Sequence, residues 1–523
     1  MGFISASLLG KWQKALYKYQ LNAKPGQPHK FSSTVKKGLV SNPNFSMSTT
    51  PTFDSLFAKI DSLESVFIDR LAKSVEIPSV SGDLSHRQDV VRMAHWLKDQ
   101  LHELGATDIQ LKELGPQPGT NAQLPPIVVG RYGNDATRKT VLIYGHYDVQ
   151  PAQLDDGWDS DPFKLVRKGD VLYGRGATDD KGPVMGWLNC IQAHREAGID
   201  IPVNLVFCFE GMEESGSEGL DELIKREAEA YFKGVDAVCI SDNYWLGTKY
   251  PAVTYGVRGV SYYEITVNGP AADLHSGLFG GLVHEPLVDL SQIFAKLVTV
   301  KGEILIPGVK DMVAPLTEKE DGLYDKIHFD ISGLEENIGS KTVIQDNIKD
   351  ALKARWRYPS LSLHGVEGAF YEKGAKTVIP ATVKGKFSIR TVPNIQLPKL
   401  DDLVIDYVHK VAAELGSKNT IKCELIHAGD YWVADPHGWS YRAAAKATEQ
   451  VWGITPDFTR EGGSIPITLS FQDNLKTSVV LLPMGRGDDG AHSTNEKIDL
   501  SNYIQGTKTL SAYLHFLAAE EKD

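Results

Sequence analysis

Cysteine is scarce in this sequence, which has four in 523 residues: Cys190, Cys208, Cys239 and Cys423. They lie far apart in mostly apolar surroundings, and no two of them form a C-x-x-C pair. This spacing disfavours both a disulfide framework and a zinc site built from thiolates. We therefore expect buried free thiols in a reducing compartment, and we predict a cytoplasmic protein.

Long apolar runs and long basic runs are also missing. No apolar run reaches the ~18 residues that a membrane helix needs, so we expect a soluble protein without a membrane partner. The net charge is −12, and Lys and Arg form no concentrated run, which makes nucleic acid an unsuitable partner. No G-x-S-x-G elbow is present either, so a serine hydrolase is poorly supported.

The first 53 residues differ from the rest of the chain. They contain seven lysines, no arginine, and no acidic residue before Asp54. A basic, acid-free leader is typical of mitochondrial transit peptides, although the lack of arginine weakens this interpretation. A disordered tail is the alternative, with translation also able to start at Met47.

Several short apolar runs are each followed by potential metal ligands or catalytic acids. Continuous runs rich in β-branched residues suit strands buried on both faces, as in a helix-covered, largely parallel sheet. Such α/β sheets place their chemistry beyond the carboxyl ends of the strands, which predicts one shared site. The runs are Thr140 to Tyr144 before His146 and Asp148, Val203 to Phe209 before Glu213 and Glu214, Ala237 to Ile240 before Asp242, and Ser478 to Leu482 towards His492.

The middle of the chain has a different pattern, in which long strands alternate with helices. This order predicts a small α+β domain inserted into the larger one. Its expected elements are a strand Val260 to Val267, a helix Pro286 to Leu297, a strand Lys384 to Arg390, a helix ending at Gly416 and a strand Thr420 to Ile426. We predict a catalytic domain over 54–257 and 441–523, with the inserted domain over 258–440.

An earlier helix is predicted from Ser85 onwards. Ser85 and Gln88 have the spacing of a capping box, and an apolar face follows. Gly105 is expected to end this helix.

The pair His146 and Asp148 gives the first chemical signal. A histidine at a strand end is more often structural, but in an extended strand both of these side chains point to one side. An Asp placed there can hold the imidazole tautomer that a metal ligand requires.

Further acids strengthen the prediction of a metal site. Asp179 stands in a glycine-rich loop and is able to bridge two cations, although a turn or helix cap is the simpler reading of that loop alone. Of the pair Glu213 and Glu214, one would bind metal and leave the other as general base. Asp242 and His492 complete a mixed N/O donor set, which suits zinc or manganese.

These motifs together resemble a known family. The chain resembles the carnosinase-like non-specific dipeptidases, including Cys-Gly dipeptidases, of the co-catalytic metallopeptidases that also contain aminoacylases and glutamate carboxypeptidases. The resemblance covers about Phe53 to Lys522. It depends on the motifs GHYDVQP, GWDSDPF, GRGATDDKGP, EGMEESGSEG, SDNYW, DLHSG, RWRYPSLSLHG, REGGSIP and DDGAHS, which occur in this order.

The resemblance implies two divalent metal ions per subunit, Zn²⁺ or Mn²⁺. It also implies a cis peptide bond between Asp179 and Asp180. The implied roles are His146 and Asp242 on the first metal, Glu214 and His492 on the second, Asp179 as the bridge, Asp148 orienting His146, and Glu213 as the base.

The resemblance further implies a substrate site for small peptides. Arg390, His427, Ser464 and Thr377 would bind substrate, with Arg390 pairing with the free C-terminal carboxylate. It also implies that the inserted domain is a dimerisation or lid domain. In the implied homodimer, His275 reaches into the partner subunit's site and stabilises the oxyanion.

The expected activity is therefore hydrolysis of dipeptides, with Cys-Gly from glutathione breakdown as the first candidate and carnosine-like dipeptides as others. Carboxypeptidase or N-acyl-amino-acid deacylase activity on the same fold is the main alternative. A binding protein that has lost its metals is a further one.

Overall fold

A computed structural model describes residues 53–465 and 467–523 of the chain. The leader predicted over residues 1–53 lies outside the described residues, apart from Phe53. The described strands are β1 (Thr107–Lys112), β2 (Ile127–Tyr132), β3 (Thr140–His146), β4 (Val166–Lys168), β5 (Val171–Tyr173), β6 (Asn204–Glu210), β7 (Ala237–Ile240), β8 (Ala252–Val257), β9 (Gly259–Asn268), β10 (Leu274–His275), β11 (Ser360–Glu367), β12 (Val378–Ile379), β13 (Thr382–Thr391), β14 (Thr420–Gly429), β15 (Trp432–Val433), β16 (Asp457–Glu461), β17 (Ser478–Leu481) and β18 (Lys497–Asp499).

The described α-helices are α1 (Asp54–Ser62), α2 (Glu64–Val75), α3 (Arg87–Glu103), α4 (Lys181–Ala197), α5 (Leu220–Glu227), α6 (Ser276–Phe279), α7 (Pro286–Leu297), α8 (Glu318–Asp321), α9 (Ile331–Ile338), α10 (Ile348–Trp356), α11 (Leu397–Leu415), α12 (Trp439–Trp452), α13 (Ile467–Leu475) and α14 (Leu500–Ala519). None of the helices in the described part of the chain combines the length and the apolar character needed to cross a membrane.

The largest sheet has the strand order β1-β2-β6-β3-β7-β17-β8-β15, and β16 pairs with β8. Its four central strands, β6, β3, β7 and β17, run parallel to one another. All residues of β6 and β7 are buried, as expected for strands covered by helices on both faces. The predicted α/β fold with a largely parallel central sheet is confirmed, and the carboxyl ends of its central strands share one edge.

The helix predicted from Ser85 begins two residues later, at Arg87. A short 3₁₀ turn, Leu84–His86, precedes it, and the Asp83 carboxylate accepts the backbone N–H of Ser85. The predicted capping box is therefore wrong, because Asp83 competes successfully for the N-terminal donors. The expected stop is confirmed, since Gly105 follows the helix with a left-handed φ of 89°.

The second substantial sheet is antiparallel, with the order β11-β13-β9-β14. Alternate side chains, such as those of Tyr263 and Phe387, pack with α7 and α11 into an apolar core separate from the core of the large sheet. The side chains between them, such as those of Tyr262 and Ser388, face the opposite way. All of this sheet lies between β8 and β15 in sequence, while the exact domain boundaries stay a prediction.

Candidate metal centre and substrate pocket

A cavity of about 450 Å³ brings the two sheets' functional side chains together. One side, which we call the acidic wall, consists of loop residues. Glu213, Glu214, Asp242 and His492 follow strands of the large sheet, whereas Asp179 lies in the loop between β5 and α4. The other side, the strand wall, comes from the solvent-facing side of the four-stranded sheet: Tyr262, His364, Ser388, Arg390 and His427.

His146 lies behind the acidic wall, at the end of β3, and is fully buried. Its Nδ1 is 3.0 Å from the backbone carbonyl oxygen of Asp148, so we assign the proton to Nδ1 and the lone pair to Nε2. That Nε2 lies 3.0 Å from Asp179 Oδ1 and 3.7 Å from Asp242 Oδ2. A lone pair among carboxylates is the arrangement of a metal-binding imidazole.

A second group of ligand atoms adjoins the first and shares Asp179 with it. Asp179 Oδ2 lies 3.2 Å from His492 Nε2, which is also 3.0 Å from Glu214 Oε2. The two oxygens of Asp179 thus face different groups, as a bridging ligand requires. The peptide bond between Asp179 and Asp180 is cis, as the resemblance implies.

Asp148 has a wider role in the geometry than the sequence suggested. Strand β3 ends at His146, so strand alternation is not what places Asp148. Its carboxylate accepts the backbone N–H groups of Glu213 (3.2 Å) and Glu214 (3.1 Å), and one oxygen is 3.4 Å from His146 Nδ1. Asp148 therefore fixes both a candidate ligand and the turn that carries the candidate base.

The acidic wall holds a strong excess of carboxylates. Burial raises the pKa of Glu213 well above its ordinary value; His146 opposes this rise, whereas Asp242 and Glu214 add to it. Hydrogen bonds with Asp179 and Glu214 raise the pKa of His492 to about 11. The shift of His492 shows that this wall stabilises positive charge, whereas the shift of Glu213 mainly reflects its burial.

The donor chemistry fits two divalent cations. Each group offers one imidazole and two carboxylates, with Asp179 common to both and no thiolate among them. Such N/O sets bind zinc or manganese. Cations would supply the positive charge that protons otherwise supply, and both histidines would then bind as neutral ligands.

The strand wall offers a cation to the cavity. Arg390, near the end of β13, donates from Nη1 to Ser464 Oγ at 2.7 Å, and Ser464 Oγ donates to the Arg258 carbonyl at 2.6 Å. Among the described residues, no carboxylate lies within 4 Å of the Arg390 guanidinium. Burial lowers its pKa, as expected for a cation without a paired anion.

Three residues of the strand wall were missed by the sequence reasoning. Tyr262 stacks on His364, with ring centroids 5.3 Å apart, and His364 Nε2 lies 2.7 Å from Ser388 Oγ. His427 meets the other side of Tyr262 edge-on at 5.8 Å. Irregular pairing in β11 between Leu363 and Gly365, and in β14 just before His427, aims both histidines at the tyrosine.

His364 does stand in the motif RWRYPSLSLHG, and Ser388 precedes Arg390 by the two-residue period of a strand. This period was the available signal for Ser388. Nothing local marks the bulge that turns His364 towards the cavity.

His275 and Thr377 do not line the cavity of their own chain. Both are exposed. His275 ends β10 and pairs with Val378 of β12, and Thr377 directly precedes β12, where its carbonyl accepts the Ser276 N–H at 3.1 Å. The structure thus groups these two predicted residues with each other and apart from the remaining ten.

The chain matches the model of the peptidase family M20/M25/M40 over residues 142–515. This match covers well over half of the sequence, and the chain belongs to this family of metallopeptidases.

Individual relatives indicate which kind of peptidase within this family the chain is most similar to. The chain is 61% identical over 481 residues to the Cys-Gly metallodipeptidase DUG1 of Candida albicans, a match that covers 90% of this chain and 99% of that protein. It is 42% identical over 485 residues to the Beta-Ala-His dipeptidase of Homo sapiens, covering 92% and 95% respectively.

Solved structures agree with this placement. The di-peptidase Dug1p of Saccharomyces cerevisiae has a TM-score of 0.87 and 57% identity, covering 90% of this chain and 99% of that one. Human carnosine dipeptidase 1 also has a TM-score of 0.87, with 42% identity and the same coverage.

These comparisons confirm the predicted family and the predicted class of enzyme, a metal-dependent dipeptidase. The carboxypeptidase and deacylase alternatives are not favoured, and the non-enzymatic alternative is not supported.

Proposed function

We propose that this metallodipeptidase acts on unmodified dipeptides, with Cys-Gly as its main substrate and carnosine-like dipeptides as secondary ones. One observation carries the proposal: carboxylates of both ligand groups and the Arg390 guanidinium, which has no paired carboxylate among the described residues, line a single cavity of about 450 Å³. A substrate with a free carboxylate at one end and a scissile carbonyl one residue away fits between them. The names and high identity of the relatives support the choice of Cys-Gly.

Substrate binding begins at the strand wall. The planar fork of Arg390 pairs with the C-terminal carboxylate, and the hydrogen bond from Arg390 to Ser464 holds the fork in place. His427 lines the same end of the cavity, where burial and Arg390 lower its pKa and keep the ring neutral. The clamp sets the position of the scissile bond relative to the acidic wall.

Hydrolysis then depends on Glu213. When bound, the two cations would polarise the scissile carbonyl and lower the pKa of the attacking water. Glu213 takes the proton of that water as its oxygen bonds to the carbonyl carbon, and later returns the proton to the leaving amine as the C–N bond breaks. His146, Asp242, Glu214 and His492 would hold the cations, and Asp179 would bridge them. Zinc and manganese both suit these ligands.

We further propose a homodimer in which the partner's His275 and the partner's Thr377 complete each cavity. In this chain both residues are exposed on the β10–β12 ribbon, outside their own cavity. Leu278 and Leu282, in the segment that follows His275, are 67% and 77% exposed. Exposed leucines beside two unused functional residues favour burial against a second copy.

The cytoplasm is the compartment we propose, since all four cysteines are buried and free. A mitochondrial address in residues 1–53 is the alternative. Imaging the full chain with a C-terminal tag, with and without residues 1–46, would distinguish these two locations.

A substrate panel tests the proposed activity. Full-length protein reconstituted with Zn²⁺ or Mn²⁺ would be assayed on Cys-Gly, carnosine, a tripeptide and an N-acetyl amino acid. We expect the highest kcat/KM on Cys-Gly, a lower value on carnosine, and little or no turnover of the other two. Faster turnover of the N-acetyl amino acid or of the tripeptide would overturn the proposal.

A further inference from the structure

The carboxylate of Glu496 is fully buried and is surrounded by donors of the loop that carries Asp179. Its Oε2 accepts hydrogen bonds from Arg175 Nη1 (2.8 Å) and from the backbone N–H of Gly176 (3.0 Å). Its Oε1 accepts the backbone N–H groups of Thr178 (3.0 Å) and Asp179 (3.1 Å). One side chain thus satisfies three backbone donors of a single loop.

Glu496 also belongs to the segment that carries His492. Its backbone carbonyl accepts the Gly174 N–H at 3.0 Å, and strand β18 begins at the next residue and pairs with β5. The two segments that supply the shared ligand and the exposed histidine are therefore joined by one residue, through both its side chain and its backbone.

A second buried carboxylate supports the same connection from the other side of His492. Asp489 accepts a hydrogen bond from the Thr178 hydroxyl at 2.9 Å and from the Arg486 N–H at 2.8 Å. Lys497 neutralises it at 3.0 Å. Asp489 and Glu496 thus lie on either side of His492 in sequence, and both hold the loop before Asp179.

This arrangement matters because Asp179 must present its two oxygens in two different directions. The direction of a short side chain follows its backbone, so a loop that shifts by a fraction of an ångström would misalign both ligand groups together. Backbone N–H groups in a dry interior also need acceptors, and a buried donor left without one destabilises the loop that carries it. Glu496 supplies those acceptors, yet it does not line the cavity.

We infer that Glu496 is a positioning residue for the metal centre, which fixes the shared ligand Asp179 and the segment of His492 in one frame. The inference rests on the proposed ligand roles and adds a residue that touches neither substrate nor cation. Its signature is a loss of affinity at both cation sites at once, since Asp179 belongs to both.

Two substitutions test the inference at different severities. Glu496→Gln keeps the size of the side chain, but its NH₂ group must face either the Arg175 and Gly176 donors or the Thr178 and Asp179 donors. Glu496→Ala removes all four hydrogen bonds that the carboxylate accepts, and it is a useful second variant only if the protein still folds.

Asp289→Asn is the matched control. Asp289 is also a buried carboxylate, accepting hydrogen bonds from the Ser417 hydroxyl and from Asn419 Nδ2, but it lies on α7 beside the four-stranded sheet and outside the cavity. Any general effect of losing a buried carboxylate should appear in this variant as well.

The measurement is calorimetric titration of metal-free, full-length protein with Zn²⁺ or Mn²⁺, with thermal unfolding recorded for each sample. We expect two ions per wild-type chain, affinities lowered about 10- to 100-fold at both sites in Glu496→Gln, and affinities within about threefold of wild type in Asp289→Asn. At saturating metal, the KM of Glu496→Gln for Cys-Gly should stay near the wild-type value, because the Arg390 clamp is untouched.

The outcomes distinguish a failure of the proposed metal centre from a failure of the positioning role of Glu496. A wild-type chain that binds fewer than two ions would refute the proposed metal centre itself. Wild-type binding of two ions with unchanged affinities in folded Glu496→Gln, weakening at one site only, or equal weakening in Asp289→Asn would overturn the positioning role of Glu496.

Discussion

The two walls of the cavity are built in opposite ways. The acidic wall consists of loop residues, most of which follow strands of the largely parallel sheet, and it gathers carboxylates that raise the pKa of His492. The strand wall consists of side chains within the strands of an antiparallel sheet, and there burial and the charge of Arg390 lower the pKa of His364 and His427.

This contrast teaches how the cavity can select its substrate. The acidic wall favours cations and the strand wall offers one, so in the proposed binding mode a peptide with a free carboxylate is oriented before any bond is broken. Loops at strand ends can bring ligands from distant segments to one point, whereas a sheet face offers a rigid surface at fixed spacing. In the proposed mechanism, the loops of the acidic wall carry out the reaction, and the sheet face of the strand wall sets how long a substrate can be.

The largest effect should follow a change confined to the acidic wall. Glu213→Gln removes the base and should lower kcat by ~10²-fold or more, while both cations remain bound. Steady-state kinetics and metal analysis of the same sample would check this. Glu222→Gln, on an exposed glutamate of the following helix, is the control and should leave kcat unchanged. Near-normal turnover by metal-loaded Glu213→Gln protein would remove Glu213 from its role.

A second prediction tests whether the two walls of one chain are enough for activity, or whether His275 of a second subunit is also needed. His275→Ala should lower kcat by ~10²-fold with a smaller effect on KM, because an imidazole aimed at the oxyanion acts in the transition state. Mixing His275→Ala chains with Glu213→Gln chains should restore activity, since one site of each mixed dimer has both groups.

Subunit exchange in that experiment would be verified with two affinity tags. If tagged mixed dimers form and stay inactive, His275 acts within its own chain or has no catalytic part.

The strand wall should control binding more than turnover. Amidating the C-terminus of a dipeptide removes the anion that Arg390 is proposed to hold, and should raise KM about 10- to 100-fold or abolish turnover, since a hydrogen bond to a charged group contributes ~1.5–3 kcal/mol. Arg390→Gln should show the same loss on the free acid. For the amidated dipeptide, kcat/KM should be only slightly lower in Arg390→Gln than in the wild type. Equal kcat/KM for the acid and the amide in the wild-type enzyme would contradict the proposed clamp.

The smallest expected effect concerns a part-buried pair of histidines, His194 and His515, which lies outside both walls. His194 Nδ1 donates to the Cys190 carbonyl at 2.8 Å, so its Nε2 accepts from His515 Nε2 at 3.1 Å. Burial, followed by the neighbouring His194, lowers the pKa of His515 to about 4. The unfolded chain then binds more protons than the folded chain between about pH 6.5 and 4, so this pair stabilises the protein above pH 6.5 and loses that contribution as the pH falls towards 4.

Replacing His515 with Asn should flatten the fall in the free energy of unfolding over this range by at most ~3 kcal/mol. Denaturant unfolding of metal-free protein at several pH values would measure this. His437→Asn, on an exposed histidine, is the control. An unchanged pH dependence in His515→Asn would show that the pair is not the titrating group.

Much of the acidic wall could be located from local pattern, because His146, Glu213 and Asp242 stand at or shortly after the ends of recognisable strands. The runs before His146 and Asp242 became β3 and β7, and the parallel arrangement brought their ends together. Local pattern and local structure coincide there, and familiar motifs added the roles.

The parts that escaped prediction depend on distant contacts. His364 turns towards the cavity through a bulge that depends on pairing with β13. Glu496 stands in TNEK like an ordinary surface acid, and its burial depends on a loop more than 300 residues earlier. The misplaced helix start at Ser85 has a local cause, since Asp83 also satisfies the rule for an N-cap.

The position of β17 in the large sheet has a consequence for biosynthesis. Strand β17 lies between β7 and β8, although it is made about 240 residues after its partner β7. While the ribosome is still making the four-stranded sheet, the nascent large sheet has a vacant central position and an open edge on β7. The chain can close this gap, and bring His492 to Asp179, only when its last segment has emerged. Long-range pairing of this kind slows folding and exposes strand edges to aggregation, so the open edge of β7 is the point at which an unfinished chain is most open to wrong pairing.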